Sequence, residues 1–239
     1  MFKNATPLKN RVFLNFLASD KNNAEEIVEA GFGCVIPGIV ASDYIDAESA
    51  SKKVAELKLI SDVISVGLGN GGDVSNWRKV VDIASISHPG HINQPFEKAS
   101  YSQGVLQSLN CPQNVNALVA PSGKVGYVKL SCGIEMQTKD FCELAASMGL
   151  TSIKFMPLKG NVHLEELIDL CEKAADSGIK MIEPAGGIGP DNAIEIIRRA
   201  LQTDIPFFMP HIFGSVIDKQ TKSTMPEMVH QIAQGVRQL

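Results

Sequence analysis

No run of lysine or arginine longer than two residues occurs in the sequence, and the formal net charge is −4. That combination excludes the basic patch by which proteins grip nucleic acid or anionic membranes. No stretch approaches the roughly 18 consecutive apolar residues of a membrane span, and Met1 to Asn10 is too polar for a signal peptide. The five cysteines, Cys34, Cys111, Cys132, Cys142 and Cys171, contain no CxxC pair and no zinc-ligand spacing. An odd set of scattered thiols reads as reduced cysteine in a cytoplasmic protein. Linkers, repeats and low-complexity segments are missing as well. The 239 residues are therefore read as one domain, 1–239, long enough to bury a sizeable core.

What is present is alternation. Short apolar, β-branched runs are each followed by helical signals. Strands are expected at Val12–Ala18, Gly33–Val40, Leu59–Val66, Asp82–Ser87, Asn116–Ala120, Ser152–Met156, Lys180–Glu183 and Pro206–Met209. Helices are expected after Asp20, Asp46, His163 and Asp191. The third carries Leu164, Leu167, Ile168, Cys171, Ala174 and Ala175 at helical spacing and closes at Gly178. Eight strand–helix units in a chain of this length point to an α/β fold, a (β/α)₈ TIM barrel; a doubly wound open sheet is the alternative. Val125–Leu130 reads as an extra strand or arm, and as a contact between subunits.

In a barrel the chemistry lies at the C-terminal strand ends. Alternation along Thr151-Ser152-Ile153-Lys154-Phe155-Met156-Pro157 turns Ile153 and Phe155 outward and Lys154 inward. A lysine there loses hydration, which lowers its pKa and frees the amine lone pair to attack a carbonyl. An ion pair with a core carboxylate is the competing reading. Glu183, in Met181-Ile182-Glu183-Pro184, is expected beside Lys154, either as a general acid/base or as its ion-pair partner. Gly186-Gly187 and Gly214-Ser215 follow the last two strands, where barrels commonly hold phosphate. Plain turn glycine is the alternative. His88 and His91 are read at the rim as acid/base or carboxylate-binding groups, with a structural role as the alternative, and His211 after the last strand as a substrate- or phosphate-binding group. Gly67 to Gly72 formally matches GxGxxG. It sits on a third strand with no acidic residue about 20 positions on, so a pocket loop is the better reading than a dinucleotide site.

These residues together resemble the 2-keto-3-deoxy-6-phosphogluconate (KDPG) aldolase superfamily. Ile153-Lys154-Phe155-Met156-Pro157 resembles its Lys-Phe-Phe-Pro strand, whose lysine forms the Schiff base. Pro184-Ala185-Gly186-Gly187-Ile188 resembles its Pro-Thr-Gly-Gly-Ile phosphate loop. Ser87 with Pro89-Gly90 resembles its Ser-Pro-Gly turn, Gly67 to Gly69 its Gly-Ala-Gly loop, and Gly214-Ser215 its last phosphate turn. The matches run in order over roughly residues 60 to 218, and the chain looks most like the branch linked to D-glucosaminate breakdown, the KDGP aldolases. The resemblance implies a class I aldolase that cleaves 2-dehydro-3-deoxy-6-phosphogluconate to pyruvate and glyceraldehyde 3-phosphate. It implies a phosphorylated keto acid as partner, a homo-oligomer, and no metal or organic cofactor. One departure is plain. The superfamily carries a catalytic Glu and a carboxylate-binding Arg on strand two, whereas Cys34 to Val40 has neither. Glu183 or a rim histidine is then the candidate for proton transfer, and Arg11 or Lys159 the candidate for holding the carboxylate. The rival readings are a 4-hydroxy-2-oxoglutarate aldolase, a phosphosugar isomerase or epimerase, and a phosphometabolite-binding barrel without catalysis.

Overall fold

The computed structural model describes Phe2 and residues 4–239. Eight parallel strands run in the order β1 (Leu14–Leu17), β2 (Val35–Val40), β3 (Ile64–Gly67), β4 (Gly90–Pro95), β5 (Asn114–Pro121), β8 (Ser152–Phe155), β9 (Met181–Pro184) and β10 (Phe207–Phe208). Parallel bridges Val12↔Phe208 and Asn15↔His211 join the last strand to the first. The sheet is thus closed on itself, a TIM barrel as the alternation suggested. Between β5 and β8 an antiparallel hairpin, β6 (Tyr127–Lys129) and β7 (Glu135–Gln137), extends the end of β5. This is the arm expected at Val125–Leu130.

Helices α1 (Lys21–Ala30), α2 (Ala47–Leu57), α3 (Trp77–Ser87), α4 (Phe96–Ser108), α5 (Thr138–Ser147), α6 (Leu164–Asp176), α7 (Ala193–Leu201) and α8 (Pro226–Gln238) cover the outside. Local chemistry sets their ends. Asp20 caps α1 by accepting from the Asn23 N–H, and Asp46 caps α2 by accepting from Ser49. Each such cap contributes about 1 kcal/mol. Gly178 ends α6 at φ +82, a conformation that disfavours a side chain. Among the described residues, no helix is long and apolar enough to cross a membrane.

One expected strand is misplaced. Asp82–Ser87 is the C-terminal half of α3, whose Val80, Val81, Ile83 and Ala84 are buried at helical spacing. Its β-branched residues read as a strand because a short apolar run fits either period. His88 then turns the chain with φ +49, and β4 begins at Gly90. Ser87, His88 and Pro89 therefore lie where β4 enters the barrel, not at its catalytic end. The third strand also starts later than expected, because Leu59 is exposed in the turn after α2.

Inward side chains form two distinct regions. Phe2, Phe13, Ile36, Met181 and Met209 form a separate apolar cluster at the N-terminal end. Above it the interior is polar: Asn15, Ser65, His91, Asn93, Asn116, Ser152, Lys154, Glu183 and His211 are all buried. Barrel interiors are usually filled with Val, Ile and Leu. Unpaired polar groups there cost several kcal/mol each, so this set must be held by a shared hydrogen-bond network.

Candidate active site

A cavity of about 550 Å³ opens at the C-terminal strand ends, within the size range of small-molecule sites. Lys154 and Met156 from β8 form one side. Ala185 to Asn192 after β9, and His211 and Phe213 to Ser215 after β10, form the next. Ser42 and Asp43 after β2 and Gly67 to Gly72 after β3 face them, with Asn93 of β4 and Leu118 of β5 completing the wall.

Lys154 is buried and its amine meets the cavity. Alternation along β8 works as expected, since Ile153 and Phe155 belong to the helix-facing core. The Lys154 Nζ lies 3.0 Å from Nδ1 of His211. Nε2 of His211 lies 2.7 Å from Oε2 of Glu183, and Nε2 of His91 lies 3.0 Å from Oε1. A carboxylate only accepts, so both histidines donate from Nε2. That fixes the His211 tautomer and leaves its Nδ1 lone pair facing Lys154. Ser152 Oγ also donates to Glu183, at 2.6 Å. Ser65 meets the remaining His91 nitrogen at 2.9 Å.

The charges follow from this wiring. Burial pulls the Lys154 ammonium down to about 8, against the Glu183 charge that supports it. Burial alone would push Glu183 up, but His91 and His211 outweigh it and hold the carboxyl well below its usual range. His211 is pushed down to about 3, first by burial and then by the Lys154 charge, and is neutral. The result is an anionic anchor, a neutral imidazole and an amine in line. It follows the logic of a catalytic triad, in which one group orients the base that faces the nucleophile.

The glycine loops offer donors of another kind. Among the described residues, no backbone hydrogen bond uses the N–H of Gly186, Gly187, Ile188, Gly214 or Ser215. The Ser215 hydroxyl donates to the Ile188 carbonyl at 3.1 Å and ties the two loops together. The reason for glycine at 187 is partly internal. A Cβ there would lie 2.5 Å from the Gly160 nitrogen, at φ +80. The close approach is that of the loop after β8, and the amide edge is left facing the cavity.

Several expected site residues are elsewhere. His88 caps α3 and its carbonyl accepts from Lys58. His91 is fully buried against Glu183 rather than at the rim. Arg11 donates to the carbonyls of Leu201, the last residue of α7, and of Thr203 and Ile205 just beyond it. Lys159 is exposed and does not line the cavity. Glu183 meets Lys154 only through His211, so the direct ion pair is not formed. Sequence pattern alone does not single out Asn93, Asn116 and Ser152, which support this network, or Ser42 and Asp43, which line the cavity. His91 and Asn93 alternate at period two along β4, a signal hidden by the misplaced strand.

Fold and site together define a TIM-barrel enzyme with a buried amine of lowered pKa in its pocket. Comparisons with known proteins narrow this. The KDGP aldolase family model matches residues 8–220. A 2-dehydro-3-deoxy-phosphogluconate aldolase of Salmonella typhimurium is 35% identical over 97% of each chain. The protein belongs to the KDGP aldolase family and is an aldolase of the KDPG/KDGP type. Solved structures resemble it in fold alone. The tryptophan synthase α-subunit of Pyrococcus furiosus superposes with a TM-score of 0.61 at 13% identity over 100% of each chain. Thiamine phosphate pyrophosphorylase from the same organism gives 0.60 at 11% identity, covering 96% of this chain and 98% of that one.

Proposed function

We propose that this protein is a class I aldolase that cleaves 2-dehydro-3-deoxy-6-phosphogluconate to pyruvate and glyceraldehyde 3-phosphate, with Lys154 as the Schiff-base residue. The observation that carries this reading is the Lys154 amine at the cavity wall, 3.0 Å from the lone-pair nitrogen of His211. The neutral amine attacks the C2 ketone. His211 relays a proton from the attacking nitrogen to the ketone oxygen as the carbinolamine forms, and one further proton from solvent lets the hydroxyl leave as water. As the proton leaves Lys154, one of the two main causes of the low His211 pKa disappears. Glu183 does not touch substrate; it is a positioning residue that fixes the His211 tautomer. The protonated imine is then the electron sink for breaking the C3–C4 bond.

The substrate phosphate is assigned to the free amides of Gly186, Gly187, Gly214 and Ser215. Among the described residues, Lys154 is the sole lysine or arginine lining the cavity, and Asp43 and Asp191 line it too. That charge balance favours recognition of anions by backbone dipoles. Amides converging from two loops suit the several oxygens of a phosphate better than the second carboxylate of 4-hydroxy-2-oxoglutarate. The test is pyruvate release from both substrates by the wild-type protein and by Lys154→Arg. The proposal requires turnover of the phosphorylated substrate by wild type and a loss of at least roughly 10³-fold in the variant. Preference for 4-hydroxy-2-oxoglutarate, or an active arginine variant, would refute it.

A further inference from the structure

The cleavage step needs a base at the C4 hydroxyl, and the groups described so far are all engaged. Glu183 is fully buried, accepts from three side chains and does not line the cavity. His211 is held by Glu183 through Nε2 and faces the Lys154 nitrogen, the C2 end of the substrate, through Nδ1. Among the described residues, the titratable side chains lining the cavity are Asp43, Lys154, Asp191 and His211. Asp191 stands on the turn between β9 and α7, beside the amides assigned to the phosphate end of the substrate. Asp43 remains.

Asp43 closes the short helical turn Ala41–Asp43 that follows β2. In the closed ring of strands, β2 stands opposite β8, with equal numbers of strands between them on either side. Asp43, itself exposed, thus lines the wall of the cavity opposite the strand that carries Lys154. Its turn is held from behind. Gly69 approaches so closely that a Cβ there would lie 1.9 Å from the Ser42 hydroxyl, and Ser42 Oγ donates to Asp43 Oδ1 at 3.3 Å. A carboxylate on this wall repels the substrate's own carboxylate and phosphate. It attracts hydroxyl donors from the middle of the chain, between the carbon bound to Lys154 and the phosphate.

We infer that Asp43 is a catalytic residue, the general base that takes the proton of the C4 hydroxyl. This rests on the Schiff-base reading. As the proton moves to Asp43, the C4–O bond becomes a carbonyl and the C3–C4 bond breaks. Its electron pair forms the C2=C3 double bond, and the imine nitrogen becomes a neutral enamine. Glyceraldehyde 3-phosphate leaves. The proton then held by Asp43 is the one required at C3, so the balance closes without another acid. Water hydrolyses the resulting imine and releases pyruvate.

The experiment compares wild type, Asp43→Asn and Asp43→Glu in two assays. One is kcat for cleavage of 2-dehydro-3-deoxy-6-phosphogluconate. The other is borohydride trapping of pyruvate, which needs the imine but no C4 hydroxyl. The inference predicts that Asp43→Asn loses roughly 10²- to 10⁴-fold in kcat, with KM little changed and the pyruvate adduct formed as in wild type. Asp43→Glu should recover part of the loss. Asp43→Asn cleaving at near wild-type rate would overturn the inference. So would loss of cleavage and trapping together in both variants, which marks a structural role. Failure of wild type itself to trap pyruvate would instead remove the imine, and with it the reading on which Asp43 depends.

Discussion

Lys154 is a nucleophile only while it is neutral, and its surroundings set when that is. Its pKa lies near 8, lowered by burial and partly restored by Glu183. The rate of imine formation should therefore rise with pH and level off above about 8, measurable as the pH profile of kcat/KM. Glu183→Gln removes the charge that supports the ammonium. The midpoint should then move to lower pH, while kcat falls because His211 loses its fixed tautomer. A midpoint moving upward would show that Glu183 does not act on Lys154 through this chain. Arg11 makes the opposite case. Its guanidinium binds carbonyls at and just beyond the end of α7, away from the cavity. Arg11→Ala should cost roughly 1–3 kcal/mol in urea unfolding and leave kcat unchanged.

At the scale of elements, the loops after β9 and β10 should govern affinity for phosphate rather than chemistry. Gly187→Ala adds a Cβ against the Gly160 backbone at a positive φ, which forces the loop after β9 away from the loop after β8. KM for the phosphorylated substrate should rise at least about tenfold, whereas pyruvate, which lacks phosphate, should still form its adduct. Equal loss of both would place the damage at Lys154. Much of this architecture was legible in the sequence. Caps at Asp20 and Asp46, the amphipathic α6, and the alternation that turns Lys154 inward all express local rules. β4 was not legible, because Gly90-His91-Ile92-Asn93-Gln94-Pro95 carries polar residues where a buried strand normally carries apolar ones. Those same residues serve the Glu183 network. The local rule failed where the barrel interior had been given over to chemistry. Asp43 was hidden for a different reason. Nothing local distinguishes an aspartate in a turn, and only closure of the ring sets it opposite the strand that carries Lys154.

At the scale of the molecule, the polar interior makes folding sensitive to acid. Glu183 is held below the usual carboxylate range by two histidines, and Glu97 and Glu165 are also lowered. Groups with depressed folded pKa values contribute stability above the unfolded value and lose it as pH falls through the folded one. Stability should thus decline below about pH 4.5, followed by circular dichroism. Glu183→Gln should flatten that decline. The account as a whole depends on a covalent bond between Lys154 and a keto acid. Its most direct test is borohydride reduction of the wild-type protein in the presence of pyruvate, followed by peptide mass mapping. The account predicts a stable adduct on the peptide containing Lys154. An adduct on Lys124 or Lys129 instead, or none at any pH, would contradict it.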